Sequence, residues 1–219
     1  MSPPPSPDFN TDSPNLASLS LTHISYDPTD PISIISAYLS LIPLFLMTAI
    51  LTTAFTTREV ESLLFIIGQF ANELLNNILK RLFRSPRPTT LRGGYGMPSS
   101  HSQFVWFFAT YLVLMMTARN VGGGKALKGC GTAVYGGLAV VGAAGVAGSR
   151  VYLGYHTLNQ VLVGGVIGVG FAVVWFGVGG VESVRAMVVE MGSVAWVRDG
   201  CKGVDLVEET YWGVGRKRD

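Results

Sequence analysis

The amino-acid sequence predicts an all-α polytopic membrane protein, built as one transmembrane helix bundle of about five spans. Hydrophobic residues make up 48% of its 219 residues and charged residues only 14%, and the mean hydropathy is +0.39. These values lie at the apolar edge of soluble proteins. The apolar residues are gathered in five stretches, most of them long enough to cross a bilayer as a helix.

The N-terminal part of the chain lacks the composition of a packed domain. Residues 1–31 hold seven prolines among several Ser and Asp. Because such a mixture buries too little apolar surface to offset the entropy of ordering, we expect a flexible tail. The first span follows over residues 32–57, which carry no charge and exceed the roughly 20 residues needed to cross the hydrocarbon core. Pro43 is expected to kink this helix.

The second span, residues 60–79, is more polar than the first. Glu73 lies within it, and a helical wheel places Asn72, Asn76 and Lys80 on one stripe. A polar stripe on a membrane helix usually faces the bundle or a wet cavity. The alternative is that this segment is re-entrant and does not cross the membrane completely.

Three further hydrophobic segments complete the predicted bundle: residues 103–118, 131–148 and 158–181. In the last of them, Gly164 and Gly168 have the small-xxx-small spacing that lets membrane helices approach closely. The predicted transmembrane domain therefore covers residues 32–181. Residues 182–219 form a mixed, polar C-terminal tail, with a candidate interfacial helix near its start.

Basic residues are distributed unevenly between the two faces that five crossings create. Residues 80–101 and 149–156 lie on one face, together with the N-terminus, because two spans separate them. Ten of the 16 basic residues fall on the other face, which the positive-inside rule makes cytoplasmic. Between Glu61 and Glu182 the sole carboxylate is that of Glu73. The face that holds residues 80–101 and 149–156 is therefore expected to bind an anion. Its basic residues are Lys80, Arg81, Arg84, Arg87, Arg92 and Arg150.

Side chains suited to phosphate chemistry occur in the same two loops. Lys80, Arg87 and Arg150 can neutralise phosphate oxygens, Arg through a bidentate fork and Lys as a point charge. Ser99, together with the backbone N–H groups of the next two residues, adds uncharged donors if these residues open a helix. The sequence therefore predicts an oxyanion pocket.

Two histidines, His101 and His156, complete the candidate site. One imidazole can attack phosphorus while the other protonates the departing oxygen. We expect neither a metal nor a cofactor, because two-metal phosphatases need several carboxylates and two cysteines cannot supply a four-thiolate zinc site. The expected partners are an anionic lipid and the bilayer, not a nucleic acid.

Three ordered motifs carry a family resemblance. Lys80-x6-Arg87-Pro88, Pro98-Ser99-Ser100-His101 and Ser149-Arg150-x5-His156 resemble the three-part signature of the type 2 phosphatidic acid phosphatase (PAP2) superfamily. The surrounding sequences YGMPSSHSQFVWFF and SRVYLGYHTLNQVLVGG are similar to the dolichyldiphosphatase family within it. The resemblance implies a helix bundle of the PAP2/acid phosphatase type.

The resemblance also implies a reaction and a role for each site residue. The reaction is hydrolysis of dolichyl diphosphate to dolichyl phosphate and phosphate on the lumenal side of the endoplasmic reticulum, which recycles the lipid carrier for protein N-glycosylation. His156 would attack the terminal phosphorus and form a phosphohistidine, while His101 would act as general acid and later help to activate water. The phosphoryl group would be bound by Lys80, Arg87 and Arg150, with help from Ser99 and Ser100.

Two positions depart from the superfamily pattern, and one acid needs a role. Ser100 stands where Gly is common, and Gln160 stands four residues after His156, where Asp is common. Because an amide oxygen can accept from Nδ1–H, Gln160 is hypothesised to orient His156.

Glu73 is hypothesised to face the site and hold a basic side chain, with Arg150 as one candidate. The alternative for Glu73 is helix packing against Asn or Gln.

Other functions fit parts of this pattern. A broader lipid phosphate phosphatase would act on phosphatidate, sphingoid phosphates or another polyprenyl diphosphate. A non-catalytic anionic-lipid binder or scramblase could keep the same fold, and the basic cluster of residues 80–92 taken alone would also fit a juxtamembrane anchor. The joint presence of the basic residues and both histidines favours the enzyme.

Overall fold

The computed structural model describes residues 17–19, 24–57, 60–88, 94–121 and 130–181. Within these ranges the chain forms six α-helices, which confirms the predicted all-α bundle. One small sheet of two strands lies before the first helix. The elements are β1 (Ala17–Leu19), β2 (Ile24–Tyr26), α1 (Pro31–Leu39), α2 (Ile42–Thr57), α3 (Val60–Phe83), α4 (Ser100–Val121), α5 (Cys130–Tyr152) and α6 (Leu158–Gly179).

The first predicted span is divided into α1 and α2. The Asp30 side chain caps α1 by accepting from the backbone N–H groups of Ile32 and Ser33 at 3.0 and 3.2 Å. Pro43 has no N–H to donate to the carbonyl oxygen four residues earlier, so the helix stops after Leu39 and restarts at Ile42. The predicted kink at this proline is thus present as a short interruption of the helix at Ser40 and Leu41.

α3 and α4 join through a buried layer of amide side chains. Asn72 and Asn76 are 1% and 0% exposed, which confirms that the polar stripe of α3 faces the bundle. Asn76 Nδ2 donates to Gln103 Oε1 at 2.8 Å, and Gln103 Nε2 donates to Asn72 Oδ1 at 2.8 Å. α3 runs without interruption for 24 residues, so it contains no break of the kind that a re-entrant segment needs.

α4 is the central helix and packs against α3, α5 and α6. Its contact with α6 depends on the two glycines of the small-xxx-small pattern. A Cβ on Gly164 would lie 2.7 Å from the Ser99 carbonyl oxygen, and one on Gly168 would meet the Gln103 carbonyl oxygen. The close approach predicted from the spacing is therefore confirmed. Phe107 and Tyr111, with Phe65 of α3, fill the apolar core beside it.

Three helical stretches of the described residues are long and apolar enough to cross a membrane, judged by length and composition. They are Pro31–Thr56, Gly131–Tyr152 and Leu158–Gly179. α3 and α4 occupy the other two predicted spans, and each extends beyond the predicted segment. The arrangement agrees with a polytopic membrane protein.

The N-terminal region differs from the predicted flexible tail where it is described. β1 and β2 pair antiparallel, with Ala17 opposite Tyr26, and Ile24 is only 2% exposed because it packs against Ala37 and Tyr155. Tyr155 lies far along the chain, so the local composition could not indicate this packing. The remainder of the tail, Arg92, and residues 182–219 with their candidate interfacial helix lie outside the described residues.

Candidate active site

The three sequence motifs meet at one end of the bundle. The loop after α3 approaches the segment before α4 through the Gly96 N–H, which donates to the Ser85 carbonyl oxygen at 2.7 Å. That segment is joined to α6 by the Ser99 N–H, which donates to the Gln160 carbonyl oxygen at 3.1 Å. The convergence expected from the spacing of the spans is therefore present.

His156 lies between these segments, only 3% exposed. Its Nδ1 is 3.0 Å from the Gly96 carbonyl oxygen and 3.2 Å from Gln160 Oε1. Both atoms are acceptors, so the proton of the neutral ring resides on Nδ1. The lone pair is then on Nε2, the nitrogen suited to attack an electrophile.

Gln160 holds its position through both ends of its amide. Its Nε2 donates to the Pro86 carbonyl oxygen at 2.9 Å and to Ser85 Oγ at 3.3 Å. Since a carbonyl oxygen can only accept, this contact assigns the amide nitrogen to the loop and the oxygen to His156. Gln160 thus connects the histidine to the loop that carries Arg87.

The pKa of His156 is lowered to about 4. Burial is the largest cause, and the positive charges of Arg150 and Arg87 act in the same direction. The hydrogen bonds to Gln160 and Gly96 oppose the shift. At neutral pH the ring is therefore uncharged and keeps the lone pair that a nucleophile requires.

Arg150, in the last turn of α5, is 1% exposed. Its Nη1 donates to Ser40 Oγ at 3.0 Å, and its guanidinium carbon lies 4.4 Å from the centre of the Tyr155 ring. Neither contact of Arg150 was predicted from the sequence. Tyr155 lies within the third motif but at one of its unspecified positions, and Ser40 is 110 residues away from Arg150 in the chain.

The segment before α4 supplies the predicted uncharged donors. α4 begins at Ser100, so His101 occupies its first turn, where it is partly buried. Ser99 is fully buried, and its Oγ has no hydrogen-bond partner within the described ranges. A buried hydroxyl without a partner is costly unless a ligand satisfies it.

Gly96 also belongs to the candidate site, although no motif in the sequence pointed to it. A Cβ at this position would lie 2.7 Å from Gln160 Nε2 and 2.8 Å from Gln160 Oε1. A side chain at this position would therefore displace the Gln160 amide from its hydrogen bonds, and the absence of a Cβ lets the Gly96 backbone approach both Gln160 and His156. A glycine two residues before Pro98 was the available signal, but only the structure reveals the neighbour that it accommodates.

Glu73 and Lys80 both lie on α3, and Arg87 lies in the loop that follows it. Lys80 lies in the last turn of α3, and it is the cation that interacts electrostatically with the Glu73 carboxyl. The two residues lie on nearly the same face of α3, because a residue seven positions along a helix is two turns away. The suggested pairing of Glu73 with Arg150 stays a prediction. In the ranges that the structure describes, no group of three or more His, Cys, Asp or Glu side chains could hold a metal ion.

Comparisons with known proteins place the fold and the motifs in a family. The family model described as the PAP2 superfamily matches residues 61–180. The chain is 35% identical over 194 residues to the dolichyldiphosphatase of Saccharomyces cerevisiae, covering 84% of this chain and 76% of that protein. It is 31% identical over 213 residues to dolichyldiphosphatase 1 of Dictyostelium discoideum, covering 92% and 91%. For dolichyldiphosphatase 1 of Homo sapiens the identity is 39% over 166 residues, covering 72% and 69%.

The fold is also similar to that of a solved structure. This is the transmembrane PAP2 type phosphatidylglycerolphosphate phosphatase from Bacillus subtilis, with a TM-score of 0.56, 22% identity, and coverage of 66% of this chain and 74% of that one. At this identity the likeness concerns the fold alone. Together, the family match, the relatives and the shared fold establish that the chain belongs to the PAP2 superfamily and, within it, to the dolichyldiphosphatase family.

Proposed function

We propose that this protein hydrolyses dolichyl diphosphate to dolichyl phosphate and phosphate through a phosphohistidine on His156. The observation that carries the proposal is the setting of His156. The ring is buried and neutral, Nδ1–H is held by Gly96 and Gln160, and the charges of Arg150 and Arg87 act on the same ring. Such a site brings a nucleophilic nitrogen and a phosphate-binding charge to one place.

The reaction proceeds in two steps. Nε2 of His156 attacks the terminal phosphorus, the bond from that phosphorus to the bridging oxygen breaks, and His101 donates a proton to the departing dolichyl phosphate. A water molecule then attacks the phosphohistidine, with His101 accepting its proton, and cleavage of the phosphorus–nitrogen bond releases phosphate and restores His156. Charge on the phosphoryl oxygens is neutralised by Lys80, Arg87 and Arg150, with donors from Ser99 and Ser100.

The choice of dolichyl diphosphate as substrate follows the relatives, which are named for that activity. The site chemistry alone would also suit other lipid phosphates. A diphosphate fits a site with a buried, uncharged nucleophile, because its leaving group is a phosphate monoester, which is far less basic than an alkoxide. The location that follows from this substrate is the endoplasmic reticulum membrane.

The proposal is tested by measuring phosphate release from dolichyl diphosphate by the detergent-purified protein in excess EDTA. We expect release to continue under chelation, and an alkaline quench of labelled substrate to trap a phosphohistidine, which is stable in base. Phosphatidate and sphingosine phosphate, added as competitors, should inhibit weakly. Equal competition would indicate a broader lipid phosphatase, and no release from any of these lipids would indicate a binding protein or scramblase.

Gln160 is proposed to orient His156, and this gives a prediction on pH. The kcat/KM of the wild type should fall as pH drops through the His156 pKa of about 4, because protonation removes the nucleophilic lone pair. Gln160→Glu places a carboxylate beside the imidazole, which raises the pKa of His156, so the acid limb of the variant's pH profile should lie at higher pH.

Gln160→Ala should lower kcat/KM about tenfold, because the imidazole loses one of its two acceptors. Full activity in Gln160→Ala would refute the orienting role.

The site is proposed to face the lumen, with the N-terminus on the same side. In a Cys130→Ser, Cys201→Ser background, we expect a cysteine replacing Tyr95, which is 42% exposed, to react with a membrane-impermeant maleimide only after microsomes are permeabilised. A cysteine replacing Lys125, predicted to be cytoplasmic, is the control and should react without permeabilisation. The reverse pattern would overturn the orientation.

A further inference from the structure

Arg150 is contacted by a part of the chain that precedes the matched family domain. The family match begins at residue 61, whereas the Arg150 guanidinium donates to Ser40, in the break between α1 and α2. Ser40 is 3% exposed, and its hydroxyl proton is engaged with the Ser36 carbonyl oxygen at 3.0 Å. Its oxygen therefore presents a lone pair to Arg150 in a fixed direction.

Tyr155 supports the guanidinium from a second direction. The guanidinium carbon of Arg150 lies over the Tyr155 ring, a cation–π contact. The Tyr155 hydroxyl accepts from the Ser25 N–H at 2.7 Å. The same ring packs against Ile24 and Ala37 in a small buried cluster. β2 and α1 thus hold the residue that lies next to His156 in the sequence.

A third contact ties the same segment to the end of α5. The Tyr152 hydroxyl donates to Asp30 Oδ2 at 2.6 Å, and Asp30 is itself the N-cap of α1. The start of α1, its end at Ser40, and β2 therefore each meet the stretch from Arg150 to Tyr155. Three separate contacts of this kind restrict both the backbone and the side chain of that stretch.

We propose that residues 24–40 form a clamp that positions Arg150 for the phosphoryl group, with Ser40 and Tyr155 as the positioning residues. The inference rests on the proposed function, in which Arg150 binds that group. An arginine side chain has many rotamers, and fixing it before the substrate arrives removes an entropy cost from binding. Neither a hydroxyl nor an aromatic ring carries a negative charge, so these two contacts position the guanidinium without opposing its attraction for the anion.

Ser40→Ala tests the clamp with inorganic phosphate as the probe. We expect the inhibition constant of phosphate and the KM for dolichyl diphosphate to rise about tenfold, since a hydrogen bond to a charged group is lost, while kcat changes less. Thr48→Ala is the matched control. Its hydroxyl makes the same type of bond, to the Leu44 carbonyl oxygen at 3.0 Å, on an exposed face of α2, and it should leave all three constants unchanged.

A double-mutant cycle separates positioning from a general loss of stability. Arg150→Lys keeps a charge but loses the guanidinium geometry, so adding Ser40→Ala to it should cause little further loss. If both changes instead reduce phosphate binding by independent factors, the clamp is refuted. Unaltered phosphate inhibition in a folded Ser40→Ala protein would refute it as well.

Tyr155→Phe provides a second test that does not depend on Ser40. The variant keeps the ring beside the guanidinium but loses the acceptor for the Ser25 N–H, so we expect a rise of about threefold in the phosphate inhibition constant. Wild-type inhibition in Tyr155→Phe would contradict a role for β2. Full activity of Arg150→Lys and Arg150→Ala would mean that the proposed function of Arg150 is wrong, an outcome distinct from loss of the clamp alone.

Discussion

His156→Ala is expected to lower phosphate release from dolichyl diphosphate by at least about a thousandfold, because it removes the nitrogen that we propose as the nucleophile. Among the described residues, no other imidazole occupies the position held by Gly96 and Gln160, so substitution leaves the phosphorus without a nucleophile. The measurement is single-turnover phosphate release, with an alkaline quench to detect the phosphoenzyme. Neither product nor phosphoenzyme should be seen.

The control for His156→Ala is a change nearby that spares the site. Asn159 is exposed in the first turn of α6, and Asn159→Ala should retain wild-type turnover. A phosphoenzyme in His156→Ala would show that another residue is the nucleophile. Loss of activity in Asn159→Ala would show that the start of α6 tolerates no change. The inactivity of His156→Ala could then arise from disturbance of α6 and would not identify the imidazole as the nucleophile.

His101→Ala should be less damaging than His156→Ala with this substrate. A general acid contributes roughly 10²–10⁴-fold to a rate, and dolichyl phosphate is a weakly basic leaving group, so we expect a loss near a hundredfold. A lipid monophosphate must expel an alkoxide, and its turnover should suffer more from the same change. Equal inactivity of the two histidine variants on the diphosphate would contradict this order.

Much of the site followed from the sequence because its chemistry lies in compact motifs. One end of the bundle carries all five motif residues: Lys80, Arg87, His101, Arg150 and His156. Their placement there depends only on the number of spans between the motifs. Apolar length is a reliable guide to the presence of a membrane helix. It is a poorer guide to the ends, since α4 continues at both ends past its apolar stretch, from Ser100 to Val121.

The features that were not predicted depend on contacts between distant parts of the chain. The interaction of Ser40 with Arg150 joins residues 110 positions apart, and β2 is stabilised by Tyr155 rather than by its own composition. The break after Leu39 was only partly foreseen, because Pro43 signals a disturbed helix without stating whether it bends or stops. The role of Gly96 likewise requires knowledge of its neighbour, Gln160.

Gly168→Ala is expected to destabilise the protein strongly and to disrupt the site from a distance. The added Cβ would meet the Gln103 carbonyl oxygen and lie 3.1 Å from the Phe107 nitrogen. Both are backbone atoms of α4, so they cannot move aside as a flexible side chain could. Overpacking costs about 1–3 kcal/mol, which corresponds to a fall of about 2–12 °C in Tm for a chain of this size.

Activity should fall together with stability in Gly168→Ala, because α6 carries Gln160. Moving α6 away from α4 lengthens the bond between the Ser99 N–H and the Gln160 carbonyl oxygen, and so separates the second motif from His156. Gly170→Ala is the matched control on the same helix, since no described neighbour lies within 4 Å of the point that its added Cβ would occupy. There alanine should be neutral or slightly stabilising, because it favours helix over glycine. Equal Tm values for the two variants would show that α4 and α6 are not in the close contact on which the site depends.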